Sequence, residues 1–157
     1  MYEQLSKHVG RVIKVANEVA REYEQDYVGT EHVLLAIARE QTGVGGMILQ
    51  AFKIDEFKLK KVVDRLIQKS MEDTWVFGRL PGTPHFRNVM AKAIEEAQRL
   101  RSREVCTEHV LLALANEKGS VAEAALSELG ATPERIQAEL DRMPKKSEPT
   151  EARRAAN

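Results

Sequence analysis

The chain has 157 residues, with 24 Lys plus Arg against 24 Asp plus Glu, 43% hydrophobic residues and only 5% aromatic ones. That length suits one domain, or two small units on a shared aliphatic core, and the charge balance leaves no field to attract a polyanion, which argues against nucleic acid as partner. The one cysteine, Cys106, excludes an internal disulfide; with no signal peptide and no apolar stretch near the ~20 residues of a membrane helix, a reducing, cytoplasmic compartment and no membrane partner are expected.

The first predicted helix opens at Ser6, whose hydroxyl suits an N-cap, and carries Val9, Val12, Ile13, Ala16, Ala20 and Tyr23 at spacings of three and four. A second begins at Thr30, again a capping hydroxyl, followed by Glu31 at the positive helix end. Its interior, VLLAIA, is apolar nearly all round, as a buried central helix requires. A short third helix is predicted near 44–52, its start weakened by Gly43, Gly45 and Gly46. The fourth runs from about 55 to 71 and is expected to bury Phe57, Val62, Val63, Leu66 and Ile67.

After a Gly- and Pro-punctuated linker at about 72–82, which holds Trp75 and Phe77 as packing or docking aromatics, the series starts again. Thr83-Pro84 opens a helix with Phe86, Val89, Met90, Ala93, Ala97 and Leu100 in register. Thr107 opens its central partner, a third helix lies near 121–129 with Gly130 to end it, and a fourth runs from Thr132-Pro133 to Met143, burying Ile136 and Leu140. VGTEHVLLAIA at 28–38 and VCTEHVLLALA at 105–115 match at nine of eleven positions, 77 residues apart. The same offset pairs His8 with His85, Ala16 with Ala93, Glu40 with Glu117 and Leu49 with Leu126. The expectation is an all-α protein of two four-helix repeats, about 5–71 and about 83–143, and a disordered polar tail at 144–157.

Few residues invite chemistry. The histidines His8/His85 and His32/His109 show no HExxH or CxxC spacing, so no metal is expected, and the last two, in the first turns of apolar helices, read as structural. Cys106 and His109 could meet on one turn as an activated thiol, but copy one has Gly29 there, and no nucleotide-binding loop or cofactor motif exists. Thr30-Glu31 and Thr107-Glu108 remain. A carboxylate can take a guanidinium through paired N–H donors, and a helix N-terminus suits a phosphate; the same residues also serve as plain caps and dipole-complementing acids.

The tandem Thr-Glu-His-Val-Leu-Leu-Ala cores and the Thr-Pro opening resemble the amino-terminal repeat of ClpA- and ClpC-type protein unfoldases, over residues 1 to about 143. The resemblance implies an eight-helix bundle with pseudo-twofold symmetry that captures substrates or adaptor proteins for an ATP-driven Clp unfoldase and performs no chemistry itself. It also implies phosphoarginine as a ligand of Glu31 and Glu108; Thr30, Glu31, Thr107 and Glu108 are the expected site residues for phosphoarginine or a peptide. The start at Met1 and the ragged tail point to a stand-alone adaptor or accessory subunit; an excised amino-terminal domain of a longer unfoldase is the alternative, and a small Cys/His-dependent enzyme a more distant one. Cys106 stands where the motif has glycine, so a left-handed backbone there would be strained and the first site is expected to keep the ligand.

Overall fold

The computed structural model describes residues 4–25, 27–74 and 83–143. Trp75, Phe77 and the predicted disordered tail at 144–157 lie outside them. Copy one comprises β1 (Gln4–Leu5), α1 (Lys7–Glu22), α2 (Thr30–Glu40), α3 (Val44–Ala51) and α4 (Glu56–Thr74). Copy two comprises α5 (Pro84–Arg99), β2 (Glu104–Val105), α6 (Thr107–Asn116), α7 (Val121–Glu128) and α8 (Pro133–Arg142). The class is all-α. α4 runs three residues past the predicted boundary at 71, into what the sequence gives to the linker.

The helices start where capping chemistry places them. The Ser6 hydroxyl accepts from the Val9 N–H at 3.2 Å and the Thr83 hydroxyl from the Phe86 N–H at 3.1 Å, with Pro84 in the first helical position. α7 is capped at its C-terminus by Leu129, and Gly130 follows with φ +86°, the left-handed turn that glycine makes without strain.

α2 and α6 form the centre. Every residue from Val33 to Ala38 and from Val110 to Ala115 is at most 3% exposed, so these helices have no solvent face. α1 packs on α2 and α5 on α6, while α3 crosses to α6 and α7 to α2 and α4. The two copies thus share a single core, and each needs the other to cover its central helix.

Phe57 departs from expectation: it is 69% exposed, with the Lys61 ammonium 4.8 Å from its ring centroid, and Leu59 is the buried residue. Leu59, Val62, Val63 and Leu66 follow the i, i+3, i+4, i+7 stripe, and Phe57, two residues before Leu59, falls about 200° round the helix. A short parallel bridge, not expected from the sequence, joins the copies: Gln4 pairs with Glu104 and Leu5 with Val105. Two residues per strand are too few to leave an alternating pattern.

The largest correction concerns the threonines. The N-caps of α2 and α6 are Gly29 and Cys106, and neither Thr30 nor Thr107 caps its own helix. Each instead accepts from a helix of the opposite copy: Gly45 N–H donates to Thr107 Oγ1 at 2.7 Å, and Ala122 N–H to Thr30 Oγ1 at 3.3 Å. The glycines of α3 have a matching reason. A Cβ at Gly45 would stand 2.9 Å from the Thr107 carbonyl oxygen, and one at Gly46 2.7 Å from Gln41 Cα. They permit close approach between backbones and do not merely loosen the helix.

The two cross-caps are unequal, which yields a testable difference. Gly43 offers α3 no side-chain cap, whereas the Ser120 hydroxyl accepts from the Glu123 N–H of α7 at 3.1 Å. Thr107→Val leaves the buried Gly45 N–H without an acceptor and should cost about 1–3 kcal/mol; Thr30→Val strands the Ala122 N–H but removes a longer bond, 3.3 Å against 2.7 Å, from a helix start that Ser120 also caps, and should cost less. Urea midpoints of both variants decide this, and equal losses would contradict it.

Candidate functional site

Each Thr-Glu-His motif lies at a seam between the copies. The Thr83 N–H donates to the Val28 carbonyl at 3.1 Å, and its counterpart, Ser6 N–H, to the Val105 carbonyl at 3.0 Å. The start of α5 is thereby clamped beside the start of α2, and the start of α1 beside that of α6. Thr30, Glu31, Thr107 and Glu108 are all buried, at 2%, 8%, 1% and 5% exposure. The structure therefore brings the predicted residues together in pairs, one pair at each seam.

Glu31 is the unusual group. Burial pushes its carboxyl above the ordinary range; its own backbone N–H, the nearby His85 and the Thr30 hydroxyl counter this only in part. Thr30 Oγ1, which accepts from the Ala122 N–H at 3.3 Å, stands near enough to the Glu31 carboxyl to oppose that shift. His32 adds no direct bond. Its Nδ1 accepts from the Gly29 N–H at 2.9 Å, which puts the proton on Nε2, and that atom stops 3.9 Å from Glu31 Oε2. His32 is fully enclosed, with the rings of Tyr23 and Tyr27 5.7 and 5.9 Å away. A buried carboxylate at the positive end of a helix, beside the seam, suits a ligand that brings N–H groups of its own.

The second motif repeats the cap: the Cys106 N–H donates to His109 Nδ1 at 2.8 Å. Cys106 Sγ, a Glu108 carboxylate oxygen and a His109 ring nitrogen lie within 4.8 Å of one another. That donor set invites a metal or thiol reading, yet the neutral imidazole has no lone pair left for either, because the Nδ1 lone pair accepts the Cys106 N–H hydrogen bond and Nε2 carries the ring proton. The thiol faces the Glu104 carbonyl at 3.7 Å. The expected backbone strain at Cys106 is absent: its φ of −108° and ψ of 171° match the −107° and 176° of Gly29, extended values open to any residue.

The other histidine pair braces the copies internally. His8 Nδ1 lies 3.3 Å from Glu40 Oε2, and His85 Nδ1 2.6 Å from Glu117 Oε2. Burial would raise the Glu117 carboxyl, but Lys92, His85 and Asn88, at 2.8, 2.6 and 3.0 Å, outweigh it and hold the pKa down to about 2. The 77-residue offset pairs these residues in sequence, which was the available signal; the contact itself was not read.

Sequence reasoning also missed a difference at the opposite end of the central helices. In copy one Arg39 bridges Glu22 and Glu56 at 2.7–2.9 Å. The equivalent positions in copy two are Asn116, Arg99 and Pro133, and there a cleft of about 370 Å³ opens, lined also by Glu96, Leu112, Glu134 and Gln137. None of the four predicted site residues borders it.

Two tandem four-helix units on one core, each with a Thr-Glu-His turn at the seam, define a duplicated helical repeat domain. The chain belongs to the Clp repeat (R) N-terminal domain family, which it matches over residues 4–78 and 81–156. It is 33% identical over 143 residues to the chloroplastic chaperone protein ClpC2 of Oryza sativa subsp. japonica, and 32% identical to the chloroplastic ClpC1 of Arabidopsis thaliana. Those matches cover 91% of this chain but only 15% of either relative. Among solved structures, the N-terminal domain of the caseinolytic protease-associated chaperone ClpD from Arabidopsis thaliana superposes with a TM-score of 0.72 at 20% identity, covering 86% of this chain and 90% of that one. The Hsp104 N-terminal domain from Candida albicans gives 0.66 at 18% identity, covering 87% and 88%. At that identity the likeness is one of fold. No helix among the described residues is long and apolar enough to cross a membrane.

Proposed function

We propose that this chain is a non-enzymatic recognition module of a Clp-type protein-unfolding system, acting as an adaptor or accessory subunit that brings substrates to the AAA+ unfoldase or modulates its docking. Glu31 carries the reading: a buried carboxylate, raised by desolvation, at the seam between the copies. A phosphorylated guanidinium fits it, because the N–H groups meet the carboxylate while the phosphate faces the positive end of α2. Phosphoarginine is thus the proposed ligand, with Thr30 and Glu31 at one seam and Thr107 and Glu108 at the other. The balanced charge speaks against a nucleic-acid partner, and the lone, buried Cys106 suits a reducing compartment such as the cytoplasm.

Membership of the family favours the alternative equally in one respect: the same domain serves as the N-terminal segment of a longer unfoldase, and this chain spans about 15% of its curated relatives. Titration of the chain with a purified Clp unfoldase separates the two. Saturable binding supports the adaptor role; no binding, with phosphoarginine still bound, supports the segment role.

A further inference from the structure

The two seams differ at one position whose backbone is the same in both, Gly29 in the first and Cys106 in the second. We infer that this residue decides which seam takes the ligand, by fixing where the following glutamate's carboxylate can stand: Gly29 opens the Glu31 seam, and the Cβ of Cys106 closes the Glu108 seam. The inference rests on the recognition reading above and deepens it.

The difference is steric. A Cβ built on Gly29 would fall 2.7 Å from Glu31 Oε1 and 3.0 Å from both Cδ and Oε2. The carboxylate of Glu31 therefore lies in space that only glycine leaves empty. At the second seam that space holds Cys106 Cβ, so Glu108 cannot take the Glu31 position. The clash falls on the far end of a flexible side chain, so the fold tolerates the change and the carboxylate moves. Pairing with a guanidinium requires both oxygens in one plane with a fixed direction of approach, which a displaced carboxylate no longer offers.

The two seams also sit in different surroundings. Tyr23 and Tyr27 enclose His32 behind Glu31, whereas the offset places Leu100 and Glu104 at the corresponding positions of copy two. The tyrosine contacts of the first seam are with the His32 ring and have no aromatic counterpart at the second. The chain should accordingly bind one ligand, not two, despite its internal symmetry.

Free phosphoarginine titrated into the full chain, followed by amide chemical shifts, tests this. The wild type should respond at 29–32 and stay silent at 106–109. Gly29→Ala, which the extended backbone accepts, should weaken binding by about tenfold or more with an unchanged thermal midpoint. Cys106→Gly should gain a response at 106–109, and Cys106→Ala, which keeps the Cβ and removes the thiol, should not. Equal responses at both seams of the wild type, or a gain in Cys106→Ala, would overturn the inference and leave the recognition reading standing. Silence at both seams in the wild type and in Cys106→Gly would overturn the recognition reading itself.

Discussion

Acidification from pH 7 to pH 4 should remove several kcal/mol of folding stability, starting well above the carboxylate range. His32 and His109 are 0% and 3% exposed, and burial lowers the pKa of each from 6.5 to about 4. A base held neutral in the fold contributes stability above its unfolded pKa, and that contribution is lost as pH falls from about 6.5 through the folded value near 4. Each histidine accounts for on the order of 3 kcal/mol at the acid end. Glu117 adds a later loss below pH 4.5, since its folded pKa is held down to about 2. Glu31 acts in the opposite sense, being raised, and recovers a part. Urea midpoints from pH 7.5 to 4 read the sum. His109→Gln keeps an acceptor for the Cys106 N–H, as glutamine does at this position of a capping box, and should flatten the upper part of the curve. A wild-type profile flat down to pH 4.5 would show that these rings are not held neutral.

Glu31→Gln should separate binding from folding. A buried acid with a raised pKa is most favourable in the fold below its unfolded pKa, and loses stability as pH rises through the folded value. Glutamine fills the same volume without the charge, so the thermal midpoint at pH 7 should be no lower than wild type. Ligand affinity should nevertheless collapse, because removing one member of a buried, hydrogen-bonded charge pair costs about 2–5 kcal/mol, thirtyfold or more. An ordinary structural cap would show the reverse, a fall in stability without a binding phenotype. Calorimetry and phosphoarginine titration on one preparation distinguish the two.

The parts of this molecule that local chemistry dictates were legible in its sequence. Ser6, Thr83 and Pro84 start their helices as caps should, Gly130 ends α7, and the unbroken apolar run of α2 and α6 marks the centre of the core. What escaped depends on distant neighbours. Thr30 and Thr107 look like local caps, and their true partners stand 92 and 62 residues away. Gly45 and Gly46 look like helix weakeners until the approach of Thr107 and Gln41 is known. Phe57 was assigned by hydrophobicity, although its register places it on the solvent side. At the site, the motif identified the residues, while the burial of Glu31 and the dependence of its position on Gly29 follow only from the packing of the two copies.

The seam between the copies as the recognition site is tested most directly by a crystal structure of the chain with phosphoarginine. The guanidinium should lie on the Glu31 carboxylate, between the starts of α2 and α5. Ligand seated only in the cleft beside Arg99 and Glu134, or on the outer face of a single repeat, would contradict it.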